Sequence, residues 1–113
     1  MFTTANNLWT AHPDGTGLTA LTNLTLAQSF ADAFSPDGTK LTFTSTRALD
    51  GSDNAQDRFN LWIMNADGTN PKPLTRLTVV GAADGVWSAD GTRIAYFSPR
   101  AFDGSDKGIP VTC

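Results

Sequence analysis

The chain has one cysteine, Cys113, and one histidine, His12, in 113 residues. A single thiol cannot close a disulfide within the chain. One imidazole and one thiol supply neither a zinc cluster nor an evident Cys–His nucleophile pair. There is no Gly-x-Ser-x-Gly elbow, and the Asp-Gly-Thr-Gly stretch at 14–17 lacks the lysine and the strand-to-helix setting of a phosphate loop. His12 reads as a polar residue flanking a turn, not as a catalytic base. Charge is scarce too: 17% of residues, with 8 Lys and Arg against 11 Asp and Glu, for a net −3. Such a balance does not suit a phosphate backbone, so no nucleic-acid partner is expected. No apolar run approaches the roughly 20 residues of a membrane helix, so no membrane span is expected. The opening MFTTANNLWT has no basic n-region and no apolar h-region, so no signal peptide is expected there. No window sustains a helical period, because Gly, Pro and Asp-Gly pairs interrupt each candidate.

What the chain does have is a repeat. FSPDGTKLTFTSTRALDGSD at 34–53 is echoed by WSADGTRIAYFSPRAFDGSD at 87–106, an offset of 53. The same offset carries NLWTAHPDGTGLTALT (7–22) onto NLWIMNADGTNPKPLT (60–75) without a gap. Of the 47 positions from 7 to 53, 21 are identical at that offset. A fixed period of this length marks a repeat architecture.

Each period holds two Asp-Gly-Thr triplets, at Asp14, Asp37, Asp67 and Asp90, spaced 23, 30 and 23 residues apart. Asp-Gly between alternating apolar residues signals a hairpin, since glycine takes the positive φ that a tight turn needs. The flanks read as strands. In KLTFTS (40–45), Leu41, Phe43 and Ser45 share one face; in NLWIMN (60–65), both faces are apolar, as in a sheet covered on both sides. Strands are expected near 30–35, 40–46, 59–65 and 72–75, with an earlier pair near 7–12 and 18–22 and a later pair near 84–88 and 93–98. The fold class expected is all-β, built from four-stranded antiparallel meanders stacked as β-propeller blades, about two of them in this chain. The order is a half blade at 7–22, a full blade at 30–75, a half blade at 84–98 and a tail at 99–113. The core should hold Leu41, Phe43, Leu61, Trp62, Ile63, Met64, Ile94 and Tyr96. Core packing is also expected for Trp9 and Trp87.

FSPDGTKLTFTSTR followed by NLWIMNADGTNPKPLT, with WSADGTRIAYFSPR as a second copy of the first half, resembles the PD40 or WD40-like propeller repeat of the TolB family. The resemblance covers nearly all of residues 7–106 and is specific for the fold, not for an activity. It implies a non-catalytic propeller module acting as a protein–protein interaction scaffold, in a periplasmic or other extracytoplasmic setting. Such repeats also occur in the propeller portions of larger enzymes, peptidases and lyases among them, and a glycan-binding oligomeric propeller is a further alternative. No enzyme activity and no cofactor are expected within these residues. The period of 53 exceeds the roughly 40–45 residues usual for a blade, and the excess lies in RALDGSDNAQDRF (47–59).

Alternating strands put the Asp-Gly-Thr turns at one end of the sheets and the long connections, 23–29, 47–58, 76–83 and 100–113, at the other. Loops over a rigid scaffold carry most binding residues. The candidate binding residues are therefore Arg47, Asp50, Asp53 and Asp57 in the first acidic loop and Arg100, Asp103 and Asp106 in its repeat. Clustered carboxylates would suit calcium, but their order is not that of an EF-hand, and an arginine ion pair that orders the loop is the reading preferred. The phase of the repeat gives two half blades around a whole one. Two blades do not close a ring, so the chain is expected either to be a piece of a longer propeller or to form a homo-oligomer, about three copies completing one ring.

Overall fold

A computed structural model describes residues 6–99, apart from Asp53 and Val79, and leaves the side chains of residues 55–57 outside the description. The fold is all-β. Eight strands follow in order: β1 (Trp9–Thr10), β2 (Thr19–Ala20), β3 (Ser29–Phe34), β4 (Lys40–Arg47), β5 (Ala55–Asn65), β6 (Lys72–Pro73), β7 (Ala83–Trp87) and β8 (Ile94–Phe97). They form three antiparallel sheets, β1-β2, β3-β4-β5-β6 and β7-β8. The register repeats with the sequence: Trp9↔Ala20 becomes Trp62↔Pro73, and Phe34↔Leu41 becomes Trp87↔Ile94, each moved by 53 residues. There is no helix among the described residues, and hence none long and apolar enough to cross a membrane.

The four Asp-Gly-Thr triplets each close a hairpin in the same way. The glycine N–H donates to the carbonyl three residues earlier, at His12, Ser35, Asn65 and Ser88, over 2.8–2.9 Å. Each glycine has a φ between 75° and 90°, which a side chain would resist. One oxygen of each aspartate accepts both the N–H and the hydroxyl of the threonine two residues on. In the β3–β4 and β7–β8 turns a serine joins them. The Ser35 and Ser88 hydroxyls donate to Asp37 and Asp90 over 2.7 Å and accept the N–H of Lys40 and Arg93. Ala66 N–H donates to Thr39 O, so the two turns of the four-stranded sheet lie side by side at one end.

The outermost strand of each meander is only two residues long, and an Asn–Thr pair extends it. Asn60 accepts the Leu77 N–H at 2.9 Å and donates to Leu77 O at 3.0 Å, as a strand neighbour would. It also accepts the Thr75 hydroxyl, whose oxygen accepts the Leu61 N–H. Asn7, Thr22, Leu24 and Leu8 repeat the arrangement. The recurring Asn-Leu-Trp and Leu-Thr pairs are thus two halves of one backbone clip, which satisfies polar groups that a buried edge would leave unpaired.

The middle strands of the four-stranded sheet, β4 and β5, are covered on both faces. On one, Leu41, Phe43, Trp62 and Met64 pack against Leu8 and Leu21 of the first sheet and its clip. On the other, Leu61 packs with Leu77, Val80 and Ala82, and Ile94 of β8 covers them. Phe43 and Trp62 stack with ring centroids 6.0 Å apart. Three expected core residues depart from this. Ile63 and Ile94 are half-buried and Tyr96 is exposed. Ile94 and Tyr96 belong to β8, in a sheet of two strands that cannot cover what a sheet of four would. Trp87 is half-buried and donates its indole N–H to Ala33 O at 3.2 Å, while Trp9, 58% exposed, is not a core residue.

Candidate functional site

The Asp-Gly-Thr end has little chemistry to offer. Its carboxylates are occupied by their own turns. Hydrogen bonds from Ser35 and the Thr39 N–H and hydroxyl hold Asp37 down at about 2, and those from Ser88 and Thr92 do the same for Asp90. Asp14 and Asp67 are lowered by Thr16 and Thr69. A carboxylate stabilised as an anion in this way is a poor proton carrier at neutral pH.

At the opposite end, the first acidic connection is shorter than its composition suggests. β4 and β5 continue into it, pairing Arg47 with Ala55 across a bulge. The loop of 47–58 is therefore a hairpin tip of 48–54, and the residues beyond an ordinary blade length lengthen one hairpin. Gly51, at φ 89°, turns the tip by donating to Ala48 O. Asp50 accepts the Ser52 N–H at 2.9 Å, and its hydrogen bonding with Ser52 lowers its pKa. Arg47 donates from Nε to Gly51 O at 2.8 Å, and its guanidinium lies 5.6 Å from the centroid of the Trp62 ring. Arg47 thus ties the acidic tip to the core through a backbone carbonyl and an aromatic face. Arg47 and Asp50 share this hairpin. Asp53, Arg100, Asp103 and Asp106 lie outside the described residues, as does the side chain of Asp57. Among the described residues no three His, Cys, Asp or Glu side chains gather where a metal ion could be held.

Two grooves open at this end, between successive sheets. One, of about 650 Å³, runs past Asn6, Leu8, Ser29 and Phe30. The other, of about 520 Å³, runs past Arg58, Phe59, Ala82, Phe97 and Ser98. They are repeats of each other: Asn6 and Ser29 of the first stand where the second has Phe59 and Ala82. In both, a backbone bond crosses between sheets, Ser29 N–H to Asn6 O at 3.1 Å and Ala82 N–H to Phe59 O at 2.9 Å. The second groove is the more apolar, and Arg58 is exposed at its edge.

A half-buried carboxylate, Asp32, escapes a reading by alternation because it sits at a bulge of β3, between the Ala31 and Ala33 pairs. It accepts the Thr44 hydroxyl at 2.9 Å and the Gly85 N–H at 3.1 Å. Burial raises its pKa; the bonds from Gly85 and Thr44 offset part of this, and the charge of Asp84 adds to it. β7 has its own bulge at the equivalent place, where Asp84 takes a φ of 62°. The signal available in the sequence was an aspartate inside an otherwise apolar strand.

No family model, no curated protein and no solved structure matches this chain.

Proposed function

We propose that the chain is a non-catalytic β-propeller module of the TolB-like kind, serving as a protein–protein interaction scaffold from the end that carries its longer connections. The observation that carries this reading is the exact recurrence, at 53 residues, of the hydrogen bond and groove between successive sheets: Ser29 to Asn6, then Ala82 to Phe59. Sheets stacked by one repeated operation are what a propeller is made of. The operation keeps the backbone and varies the lining, which is how a rigid scaffold presents different surfaces. The ligand suited to the second groove is a peptide segment with an apolar side chain. The setting proposed is extracytoplasmic, following the resemblance of the repeat.

A peptide-display selection against the protein tests this. Selected peptides should bind at least about 10-fold more weakly to Arg58→Glu and to Asp50→Lys, and should be indifferent to Thr92→Lys at the other end. Peptides that depend on Thr92 and ignore Arg58 would overturn the assignment of the binding end. Glycan binding that disappears in Trp9→Ala would favour the lectin alternative instead.

A further inference from the structure

Trp62 and Trp9 hold the same position in successive repeats, yet Trp62 is fully buried and Trp9 is 58% exposed. Trp62 and Met64 close the interface between the first two sheets, against Leu8, Leu21, Leu41 and Phe43. Moved by 53 residues, those last four become Leu61, Leu74, Ile94 and Tyr96, on the other face of the four-stranded sheet. Leu61 is buried there, but Leu74 is 41% and Tyr96 38% exposed, whereas Leu21 and Phe43 are buried. The difference is the third strand. Among the described residues, β8 ladders with β7 alone, and no strand brings a tryptophan to Tyr96 as β5 brings Trp62 to Phe43.

We propose that β1 of a second copy of the chain completes this interface, seating its Trp9 against Leu74, Ile94 and Tyr96. The proposal rests on the propeller reading and goes beyond it by naming the strand, the register and the occupant. The register follows from β4 and β5, where Leu41↔Met64, Thr42↔Ile63, Phe43↔Trp62 and Ser45↔Asn60. Across copies these become Ile94↔Ala11, Ala95↔Thr10, Tyr96↔Trp9 and Ser98↔Asn7. The equivalence of β8 to β4 holds to its end: the Ser98 hydroxyl donates to Gly81 O at 2.7 Å as the Ser45 hydroxyl does to Gln28 O at 2.8 Å.

Two further observations fit the same occupant. β5 ladders on both edges and is strand throughout 59–65, while at the matching residues 6–12 only Trp9–Thr10 is strand and, among the described residues, pairs with β2 alone. A strand with one partner is short for want of the other. The surface also continues an interface already present, built from the same residue types in the same order. Within one chain Trp9 cannot reach Tyr96. Leu8 and Leu21, which flank β1 and β2, pack with the face that carries Phe43 and Trp62, and Ile94 of β8 packs on the face that carries Leu61. The contact is therefore head-to-tail between copies. It closes by rotation when the copies together supply roughly 4–8 blades.

Cysteines in the proposed register test it while leaving Trp9 and Tyr96 in place. Thr10→Cys with Ala95→Cys, in a Cys113→Ser background, should give covalent dimers and higher multimers on oxidation. The pair slipped by one residue, Ala11→Cys with Ala95→Cys, places its thiols on opposite faces and should yield at least about 10-fold less. Adding Trp9→Asp to the first pair should abolish the multimers. Oxidation that leaves the first pair monomeric overturns the proposal, as does an equal yield from the slipped pair. Peptide binding at the long-connection end, measured on the same variants, fails or survives separately.

Discussion

The Asp32 carboxylate accepts a hydrogen bond from the Gly85 N–H at 3.1 Å, and these two residues occupy the same position of successive repeats. The bond joins β3 to β7 where both strands bulge. A Cβ on Gly85 would come within 2.6 Å of Leu61 Cδ1, so a larger residue there must displace the buried Leu61 side chain. The repeat thus departs from itself, Asp in one copy and Gly in the next, at the place where the two copies touch.

Asp32→Asn should keep the acceptor for Gly85 and Thr44 while removing a charge that burial disfavours. Because burial raises the carboxyl above 3.8, the folded protein holds this proton to higher pH than the unfolded chain. The contribution of Asp32 to stability is therefore greatest below 3.8 and declines as pH rises through the folded value. At pH 7 the asparagine variant should match or exceed the parent by less than about 1 kcal/mol, since solvent screens a half-buried group. Near pH 3 the two should converge. Urea unfolding at both pH values checks this; an asparagine variant weaker by more than that margin at pH 7 would show that the charge itself is required.

Trp62 is fully buried, and its indole N–H has no hydrogen-bond partner among the described residues. Trp62→Ala should cost roughly 3–5 kcal/mol. Trp62→Phe should fall within about 1 kcal/mol of the parent, because relief from burying an unsatisfied donor offsets the lost volume. Chemical denaturation of the two variants separates volume from polarity, and a loss under about 1 kcal/mol for Trp62→Ala would contradict the packing described.

The two Asn–Thr clips differ in burial, Asn60 being buried and Asn7 half-buried. Asn60→Ala should cost about 2–3 kcal/mol, because Leu77 loses both backbone partners away from water. Asn7→Ala should cost about 1 kcal/mol, with solvent replacing part of what is lost. Equal losses at the two sites would mean that the clip acts before the sheets stack.

Carboxyl titration followed by NMR should find Asp37 and Asp90 at about 2. Ser35→Ala should move Asp37 upward and leave Asp67, which has no such serine, in place. What these two turns contribute to stability is present above 3.8 and is lost as pH falls toward about 2. An ordinary titration of Asp37 would show that its turn is open in solution.

Strands and turns were legible because their signals are local. Alternation in KLTFTS and the four Asp-Gly-Thr triplets placed β4 and the hairpins to within a few residues. The inward extension of β5 was not legible: residues 56–58 are polar, and only pairing of Ala55 with Arg47 makes this stretch a strand. Bulges break the rule by which alternation assigns faces, so Asp32 and Asp84 were missed. The exposure of Tyr96 and Trp9 depends on which neighbouring sheet is present, and a residue's own sequence window does not contain that. Of the candidate site, Arg47 and Asp50 share one hairpin tip; the tie from Arg47 runs to a carbonyl and a ring, contacts that residue types alone do not specify.

Native mass in solution bears most directly on the proposal that the stacked sheets continue from copy to copy. Sedimentation at micromolar concentration should give a closed species of an integral number of copies, three for six blades, with little monomer, and Trp9→Asp should shift it to smaller mass. A sharp monomer that unfolds cooperatively would contradict the account.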